Sequence, residues 1–388
     1  MNNFKLIEYF CLKDDLSTFD PYDIWKTNFG LCVKKLFNQN KFIGAFPAVL
    51  LTFFDLYINN KKRFFYSKID YPIVRALASL SLLNLIQSSS NDERYIRQIE
   101  TNLEWLIKNK SKETNNYGWG LDFSHTVSAK IFYPADMPLT TITPYILEAF
   151  YLYHNTVSNK YFDIFKGISR FLEHDVKVIF EDKDYLVTSY ATFPDRIVFN
   201  SLSYTMYSYF LLSKVINDNR VEFETKAYKL FNYIKKHQNA DGSWFYAEVK
   251  NSFIDCFHSC ILLKNIIKTE IDFPDKSEII KRGYNYIKEN FFVDKLGLVK
   301  RFSHKNKPSL IAYDLYDNAE MLNLSILLDD EEMIEKIYNG INNNFVYEDN
   351  IYSSIDRWGN KLNNNMLRWA VMPYIYSLSK LQLKNEKN

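Results

Sequence analysis

The chain is poor in cysteine, balanced in charge and without a long apolar run, and each of these features excludes a class of protein. Four cysteines in a chain of 388 residues, 47% of them hydrophobic, make a disulfide framework unnecessary and indicate a reducing compartment. With 48 Lys and Arg against 46 Asp and Glu, the chain lacks the broad basic face that binding to a phosphate backbone requires. We therefore expect no nucleic-acid partner.

The N-terminal segment shows no sign of export. Residues 1–20 mix charged with apolar residues and lack the uninterrupted apolar stretch and the small-residue cleavage site of a signal peptide. The most apolar run, FIGAFPAVLLTFF at 42–54, contains Pro47 and stops at Asp55, short of the roughly 20 residues that a membrane span requires. We predict a cytoplasmic protein with no stable membrane insertion, in which this run forms a buried helix.

A repeat of amphipathic helix, polar loop and apolar helix runs through the chain. The amphipathic helices place apolar residues on one face and end in similar segments: NLEWLIKNK, GISRFLEHD, LFNYIKKHQ, GYNYIKENF and IYNGINNNF, with a weaker copy, VKKLFNQNK, around Leu36. Each is followed by a loop and then by a helix that is apolar nearly all round, such as FNSLSYTMYSYFLLSKV. A helix of the second kind is buried on all sides.

This pattern predicts an all-α fold, an α/α toroid resembling an (α/α)6 barrel, with amphipathic helices outside and apolar helices inside. An open superhelical solenoid stacks similar hairpins and is the main alternative. The nearly apolar inner helices favour the closed ring. Since no Pro/Gly/Ser linker divides the sequence, we predict one domain over 1–388, with 1–60 as a looser N-terminal hairpin.

In such a ring every outer-to-inner loop opens at the same end, where the inner helices begin. Polar and aromatic residues of these loops would face one another there and supply acid–base chemistry and stacking on a polyhydroxylated ligand. We predict Asp255 and His258 as a catalytic pair, three residues apart on one helical face, with Asp195 opposite them. The predicted substrate-binding residues are Trp119, Asp122, Phe123, His125, Arg196, Asn200, Trp244, Arg301, Asp314, Arg368 and Trp369.

Each of these assignments has a structural alternative. An Asp directly before a helix, such as Asp195, is commonly an N-cap, and Trp119 and Trp244 could plug the end of the ring. Arginines at this end, among them Arg301 and Arg368, join the helix N-termini and favour an acidic or phosphorylated carbohydrate. The same arginines could instead pair with acidic loop residues.

We expect neither a metal nor a cofactor. Asp255, Cys256, His258 and Cys260 are residues that bind zinc, but on one helix only Asp255 and His258 share a face, whereas a catalytic zinc needs three protein ligands. Cys256 and Cys260, four residues apart, are predicted to pack as small apolar side chains on the buried side of the helix.

One short motif carries a resemblance of fold. QNADGSW at 238–244 resembles the Q-x-x-D-G-S-W motif of terpenoid cyclases and other α/α toroid proteins, where it is a structural joint between hairpins. Asp241 and Gly242 can form the turn, Gln238 can cap neighbouring backbone groups, and Trp244 can pack against the next helix. The motif indicates fold and says almost nothing of function.

A second resemblance covers most of the chain. DPYD at 20–23, YGWGLDF at 117–123, PADMPLTTITPYILEAF at 134–150, YATFPDRIVFNSLSY at 190–204, FIDCFH at 253–258 and MLRWAVM at 366–372 follow the pattern of the bacterial polysaccharide biosynthesis protein VpsJ family, found with capsule, exopolysaccharide and O-antigen genes. The resemblance implies an α/α toroid that acts on a cell-surface glycan or its precursors, possible partners being other polysaccharide-assembly proteins.

Three functions fit this sequence. The first is a glycan-acting hydrolase, lyase or epimerase that uses Asp and His in the mouth of the ring. The second is a non-catalytic glycan-binding or scaffold protein of a polysaccharide assembly system. The third is an isoprenoid or zinc-dependent toroid enzyme, which is disfavoured because neither a DxDD nor a DDxxD motif is present.

Overall fold

The structure, a computed structural model, describes residues 2–88, 92–194, 196–250, 252–305, 309–348 and 350–387. Within these ranges the helices are α1 (Asn3–Cys11), α2 (Asn28–Gln39), α3 (Lys41–Phe53), α4 (Pro72–Gln87), α5 (Glu93–Lys108), α6 (Thr143–Thr156), α7 (Phe162–Arg170), α8 (Phe199–Val215), α9 (Arg220–Lys236), α10 (Cys256–Lys268), α11 (Lys276–Phe291), α12 (Leu315–Leu327), α13 (Glu331–Asn344) and α14 (Met372–Lys387). Short π-helical segments continue α3 (Phe54–Ile58) and α7 (Phe171–Asp175) and precede α14 (Leu367–Val371).

The strands are short and lie in the loops between helices. They are β1 (His125–Thr126), β2 (Phe132–Tyr133), β3 (Val178–Glu181), β4 (Leu186–Thr188), β5 (Ile254–Asp255), β6 (Phe292–Val293), β7 (Leu298–Val299), β8 (Phe302–His304), β9 (Ile311–Asp314), β10 (Val346–Tyr347), β11 (Asn350–Asp356) and β12 (Lys361–Asn364). The predicted all-α class is confirmed, because the strands connect loops and form no layer of their own.

Within the described part of the chain, six inner helices form a closed ring. In order they are α4, α6, α8, α10, α12 and α14; each packs against the next, and α14 packs against α4. The uniform apolar pattern predicted this burial: in α8, sixteen of the seventeen residues are buried. The toroid is therefore closed, and the solenoid alternative is wrong.

Among the residues that the structure describes, six outer helices surround this ring. α5, α7, α9, α11 and α13 each pack on the inner helix before or after them in the chain, and the sixth outer helix is α1, which packs on α14 and α4. The weaker sixth copy predicted around Leu36 is wrong, because Leu36 lies in α2, which pairs with α3 outside the ring. The two ends of the chain thus supply the hairpin that closes the toroid.

The loops at the mouth of the ring are joined side by side. Antiparallel pairing links β5 with β8 and β9 with β11, and single bridges link Leu139 with Ala191 and Val198 with Ala247. Leu367 donates its N–H to the hydroxyl of Thr18, which joins the last loop to the first. These bonds hold the loops in the order of the helices that they precede.

The QNADGSW segment is a structural joint, as predicted. Gln238 donates from Nε2 to the carbonyl oxygens of Gly242 and Ile279, both at 3.0 Å. Gly242 has φ +93° and lies so close to the carbonyl of Arg282 that a Cβ would be 2.4 Å from its oxygen, so only glycine fits this turn. The motif ties the loop after α9 to α11.

Trp119 and Trp244 are buried parts of the scaffold. They are 1% and 4% exposed, and each donates its indole N–H at 2.9 Å to a carbonyl at the end of the preceding outer helix, Leu106 for Trp119 and Ile234 for Trp244. These carbonyls belong to equivalent positions of the repeat. The predicted contact of the two indoles with a substrate stays a prediction: Trp119 is almost fully buried, whereas Trp244 borders a small cavity that Asp255 and His258 also line.

The centre of the ring is charged. Lys264 forms an ion pair with Glu320 at 2.6 Å, and Lys268 forms one with Glu148 at the same distance. Tyr376 also donates to Glu148, at 3.1 Å. Buried charges are tolerated when they are paired in this way.

The α2–α3 hairpin lies outside the ring and leaves much apolar surface in solvent. The run FIGAFPAVLLTFF, predicted to be buried, forms α3, and Phe42 and Phe46 on it are 93% and 71% exposed. The prediction of burial is wrong because α3 packs on α2 along one face only. By length and composition alone, the segment Lys41–Ile58 could also cross a membrane.

Candidate active site

The mouth of the ring is lined by a closed series of aromatic, histidine and arginine side chains. Neighbouring members lie 4.4 to 5.7 Å apart, measured between ring centroids or from a guanidinium carbon to a centroid. We call this set the mouth circuit; in order of contact it consists of His125, Tyr133, Tyr190, Arg196, Tyr246, His258, Phe257, Trp369, Arg368 and Phe123. Its members come from the loops before α6, α8 and α14 and from the loop and first turn of α10.

Asp255 and His258 form the predicted hydrogen-bonded pair. Nδ1 of His258 lies 2.8 Å from both carboxylate oxygens of Asp255, which also caps α10 by accepting the backbone N–H of His258. A carboxylate only accepts, so Nδ1 donates to Asp255 and Nε2 is left as the nitrogen that can exchange a proton with a ligand. Asp255 is buried and His258 is partly exposed toward the mouth.

His125 occupies the opposite position of the mouth circuit. It stacks on Tyr133 at 4.8 Å and lies 5.7 Å from Phe123. Burial, with a further contribution from the charge of Lys34 on α2, lowers the pKa of His125 to about 4. The imidazole is therefore neutral at physiological pH and can accept a proton.

Three predicted binding residues carry buried polar atoms that lack a hydrogen-bond partner among the described residues. They are Nδ1 of His125, Nε of Arg196 and Oδ1 of Asn200. Buried polar atoms are nearly always satisfied in a folded protein, and exceptions mark places where a ligand or water binds. His125 and Arg196 lie in the loops before α6 and α8, and Asn200 lies in the first turn of α8, so a ligand in the mouth can satisfy all three atoms.

Arg196 is held between aromatic rings. Its guanidinium carbon lies 5.0 Å from the ring of Tyr190 and 5.4 Å from that of Tyr246. Among the described residues no carboxylate lies within 4 Å of it, whereas Arg301 and Arg368 are both in ion pairs. Arg196 is thus the mouth arginine best placed to meet an anionic group.

Cavities at the mouth and outside it differ in size. A cavity of about 10 Å³, room for roughly one water molecule, is lined by Asn200, Tyr246, Asp255 and His258. A groove of about 460 Å³ lies beside the same loop, lined by His237 and its neighbours, and includes none of the predicted site residues. We place the site at the mouth, because acid–base groups converge there.

Residues of the loop before α12 hold Trp369 in position. Asp314 accepts the indole N–H of Trp369 at 3.0 Å and pairs with Arg301 at 3.2 Å. Arg301 also donates to the hydroxyl of Tyr22 at 3.1 Å, and Tyr22 meets the Trp369 ring edge to face. Burial raises the pKa of Asp314, although the charge of Arg301 opposes this shift. Asp314 and Arg301 therefore orient Trp369.

Arg368 is anchored by a segment that sequence reasoning did not assign to the site. It donates from Nε to Asp20 at 2.5 Å, and Lys26 pairs with the same carboxylate at 3.2 Å. Burial opposes ionisation of Asp20, but the charges of Arg368 and Lys26 outweigh it and lower its pKa. Lys26 also donates to the hydroxyl of Tyr71. The DPYD motif at 20–23 was the signal that pointed to this segment.

Asp122 is a half-buried carboxyl group beside the mouth circuit. It precedes Phe123 and adopts φ +57°. Burial, assisted by the negative charges of Asp136 and Asp70, raises its pKa to about 7. A carboxyl group that is partly protonated near neutral pH is suited to general acid or base catalysis.

The predicted site residues thus fall into four groups. Phe123, His125, Arg196, His258, Arg368 and Trp369 belong to the mouth circuit, while Asp122, Asn200, Asp255, Arg301 and Asp314 lie beside or beneath it. Trp119 and Trp244 are scaffold residues. Asp195 lies outside the described residues, so its predicted role opposite Asp255 stays a prediction. Sequence reasoning missed Tyr133, Tyr190, Tyr246 and Phe257, which look like ordinary core aromatics.

Solved structures of sugar-modifying enzymes share this fold. The cellobiose 2-epimerase of Bacillus thermoamylovorans superposes with a TM-score of 0.63 at 12% identity, covering 81% of this chain and 88% of its own. The GH76 α-mannanase of Bacteroides thetaiotaomicron superposes with a TM-score of 0.62 at 11% identity, covering 94% and 99%. A D-mannose isomerase gives a TM-score of 0.62 at 10% identity, covering 81% and 87%. At such identities the likeness shows the fold alone.

No protein-family model and no curated protein matches the chain. The VpsJ-like family, the link to capsule synthesis and the cytoplasmic location therefore stay predictions. Within the described ranges, no three His, Cys, Asp or Glu side chains are grouped so as to hold a metal ion. Cys256 and Cys260 are fully buried with their sulfurs 3.7 Å apart, as predicted for packing residues.

Proposed function

We propose that the chain is a carbohydrate-active enzyme that transfers a proton on a sugar, as an epimerase or isomerase does. The observation that carries this proposal is the position of the two histidines. In contact order around the mouth circuit, four residues separate His125 from His258 in either direction. Of two imidazoles on opposite sides of a ligand, a neutral one can remove a proton from one face while a protonated one delivers a proton to the other.

The chemistry needs an open-chain aldose. Its carbon next to the carbonyl carries an acidic hydrogen, which a neutral imidazole can remove. His125 is neutral because burial holds its pKa near 4. Asp255 fixes the ring of His258 through Nδ1, so that Nε2 is the atom that exchanges a proton with the ligand. Delivery of a proton to the opposite face from Nε2 of a protonated His258, whose charge Asp255 balances, inverts the configuration at this carbon and leaves His125 protonated and His258 neutral.

The other members of the mouth circuit suit sugar binding. Phe257 and Trp369 lie next to His258, and their rings can stack on the apolar face of a pyranose. Arg196 supports the expectation of an acidic or phosphorylated carbohydrate, whereas Arg301 and Arg368 are already paired. A role in cell-surface polysaccharide biosynthesis, with other assembly proteins as partners, remains part of this proposal and is supported by the motif resemblance.

A glycoside hydrolase is the second candidate, and Asp122 favours it. Hydrolysis uses two carboxyl groups, one of which is protonated near neutral pH. Asp122, whose pKa is raised to about 7, fits the protonated group, and Asp255 would be the ionised partner. In the epimerase proposal Asp122 has no catalytic task.

Solvent-deuterium exchange tests the proposal directly. The protein is incubated in D₂O with a panel of aldoses, hexuronic acids and β-1,4-linked disaccharides, and NMR follows the hydrogen on the carbon next to the carbonyl. We expect deuterium to enter at this carbon with formation of the epimer or ketose. His125→Asn and His258→Asn should abolish the exchange, and the exposed His174→Asn is the matched control.

Two other results would overturn the epimerase proposal. Release of new reducing ends from a glycan, without deuterium entry and with dependence on Asp122, would establish the hydrolase. Binding of a panel sugar by calorimetry with no turnover in either assay would establish a non-catalytic glycan-binding protein.

A further inference from the structure

The α2–α3 hairpin presents one apolar face of α3 to solvent. Phe42, Phe46, Val49 and Phe53 follow helical spacing along this face, and each is more than half exposed. The opposite side of α3 packs on α2, where Gly44 lies so close to Phe37 that a Cβ would be 2.2 Å from its Cα. The exposed face is therefore held in place by a packed one.

Aromatic side chains extend this face toward the last loop of the chain. Phe53 contacts Tyr57 at 4.9 Å, and Tyr57 contacts Trp358 at 6.2 Å. Trp358 is 68% exposed, and Phe65, in the loop after the hairpin, is 89% exposed. A surface of this kind is larger than the isolated exposed apolar residues of an ordinary protein surface, and such surfaces mark an interaction site.

The segment that carries the apolar face is rich in basic residues. Residues 28–69 contain seven basic residues and a single acidic one, Asp55, which is buried and paired with Arg63 at 3.3 Å. The exposed basic residues of the segment are Lys35, Lys41, Lys61, Lys62 and Lys68. A second copy of the chain seated on this face would bring lysines close to lysines. An anionic lipid surface offers both the apolar depth and the negative charge.

We propose that the α2–α3 hairpin, with Phe65 and Trp358, docks the protein on an anionic phospholipid surface. Helices with aromatic and aliphatic residues on one face and lysines beside them bind at the boundary between headgroups and acyl chains. Each lysine near such a surface adds to the attraction, and the attraction weakens with salt. Trp358 and Tyr57 suit the headgroup level, where amphipathic rings concentrate.

α3 lies on the membrane and does not cross it. To span the bilayer, the segment Lys41–Ile58 would have to leave α2 and break the bonds of Asp55 to Arg63 and to Tyr66, the latter at 2.6 Å. Docking in the interface keeps these contacts. It also places the rim of the mouth near the headgroups, because Asn38 of α2 donates to the hydroxyl of Thr126, which follows His125.

Vesicle co-sedimentation of the full chain tests the proposal. The probes are vesicles of phosphatidylcholine alone and of phosphatidylcholine mixed with phosphatidylglycerol. We expect binding to the mixed vesicles that is reversed at about 1 M salt, where the Debye length falls to about 3 Å. The double variant Phe42→Glu/Phe46→Glu should lose binding, and Lys61→Glu/Lys62→Glu should bind at least about thirtyfold more weakly.

Matched variants lie in α9, in β3 and in the loop after β3, outside the α2–α3 hairpin. Val221→Glu/Phe180→Glu replaces exposed apolar residues, and Lys183→Glu replaces an exposed lysine; both should bind as wild type does. Circular dichroism checks that each variant is folded. A blue shift of fluorescence on vesicle addition, absent in Trp358→Phe, would place this ring in the lipid.

Four outcomes would overturn the proposal. One is the absence of sedimentation with anionic vesicles at low salt, and another is binding that both glutamate variants retain. The third is a dimer, measured by light scattering, that Phe42→Glu/Phe46→Glu dissociates while vesicles are not bound; this would assign the face to a second copy. Association with vesicles that resists both salt and alkaline carbonate would indicate a membrane span instead.

Discussion

Buried charged and polar side chains occur both at the centre of the ring and at its mouth, and the two sets differ in whether their polar atoms have partners. In the centre, Lys264 and Glu320 are buried and paired at 2.6 Å. At the mouth, His125 and Arg196 each carry a buried nitrogen without a hydrogen-bond partner among the described residues. Paired charges at the centre serve the fold, whereas the unsatisfied atoms of the mouth cost stability that a ligand or water can return.

The largest expected effect tests the mouth side of this comparison. His258→Asn should reduce turnover of the substrate identified by deuterium exchange about 10²- to 10⁴-fold, the usual contribution of an acid–base group. The melting temperature should change little, because His258 is partly exposed and its replacement leaves no buried cavity. Asp255→Asn, which retains the N-cap of α10, should reduce turnover without loss of melting temperature. A large fall in melting temperature for both variants would make the pair structural.

The next effect tests the centre. Glu320→Gln leaves the Lys264 ammonium buried without a counter-charge, which should lower the free energy of unfolding by about 3–5 kcal/mol. Turnover per folded molecule should stay the same. Chemical denaturation measures the loss, and Lys264→Met/Glu320→Leu, which removes both charges, should recover most of it. Failure of this recovery would show that the pair has a task beyond stability.

Asp122 should make stability depend on pH. Its pKa is raised from 3.8 to about 7, so the folded protein retains a proton that the unfolded chain releases. The contribution of this proton is complete below about pH 4 and is lost as pH rises through 7. Between about pH 5 and pH 8 wild type should lose about 2–4 kcal/mol more than Asp122→Asn, measured by urea unfolding. Parallel curves for the two proteins would contradict the raised pKa.

The smallest expected effect tests whether Trp119 and Trp244 stabilise the scaffold or bind the substrate. Trp119→Phe and Trp244→Phe retain most of the ring but remove the indole N–H that bonds Leu106 or Ile234. Each variant should lose about 1–3 kcal/mol of stability, since a buried carbonyl is left unsatisfied, with unchanged KM and kcat. A rise in KM with unchanged stability would return these residues to the binding site.

The sequence predicted the elements that depend on local pattern. Apolar residues all round α8 required a buried helix, and the Gly242 turn required the only residue type that accepts φ +93° beside a carbonyl. The three-residue spacing of Asp255 and His258 placed them on one face, and their hydrogen bond follows from that. The closed toroid was therefore predictable from the sequence. Of the two histidines proposed to exchange protons with the ligand, His258 with its partner Asp255 was predictable as well.

Contacts between residues far apart in the chain were decided by the tertiary structure and not by local sequence spacing. Asp20 and Arg368 meet across 348 residues, and the opposition of His125 to His258 depends on the order of the loops around the ring. Nothing in the run FIGAFPAVLLTFF distinguishes a core helix from an exposed one. An apolar helix prefers an apolar environment, but its sequence does not say which part of the molecule, if any, supplies it. In this chain the ring was already closed by α1 and α14, so α3 was left with its face in solvent.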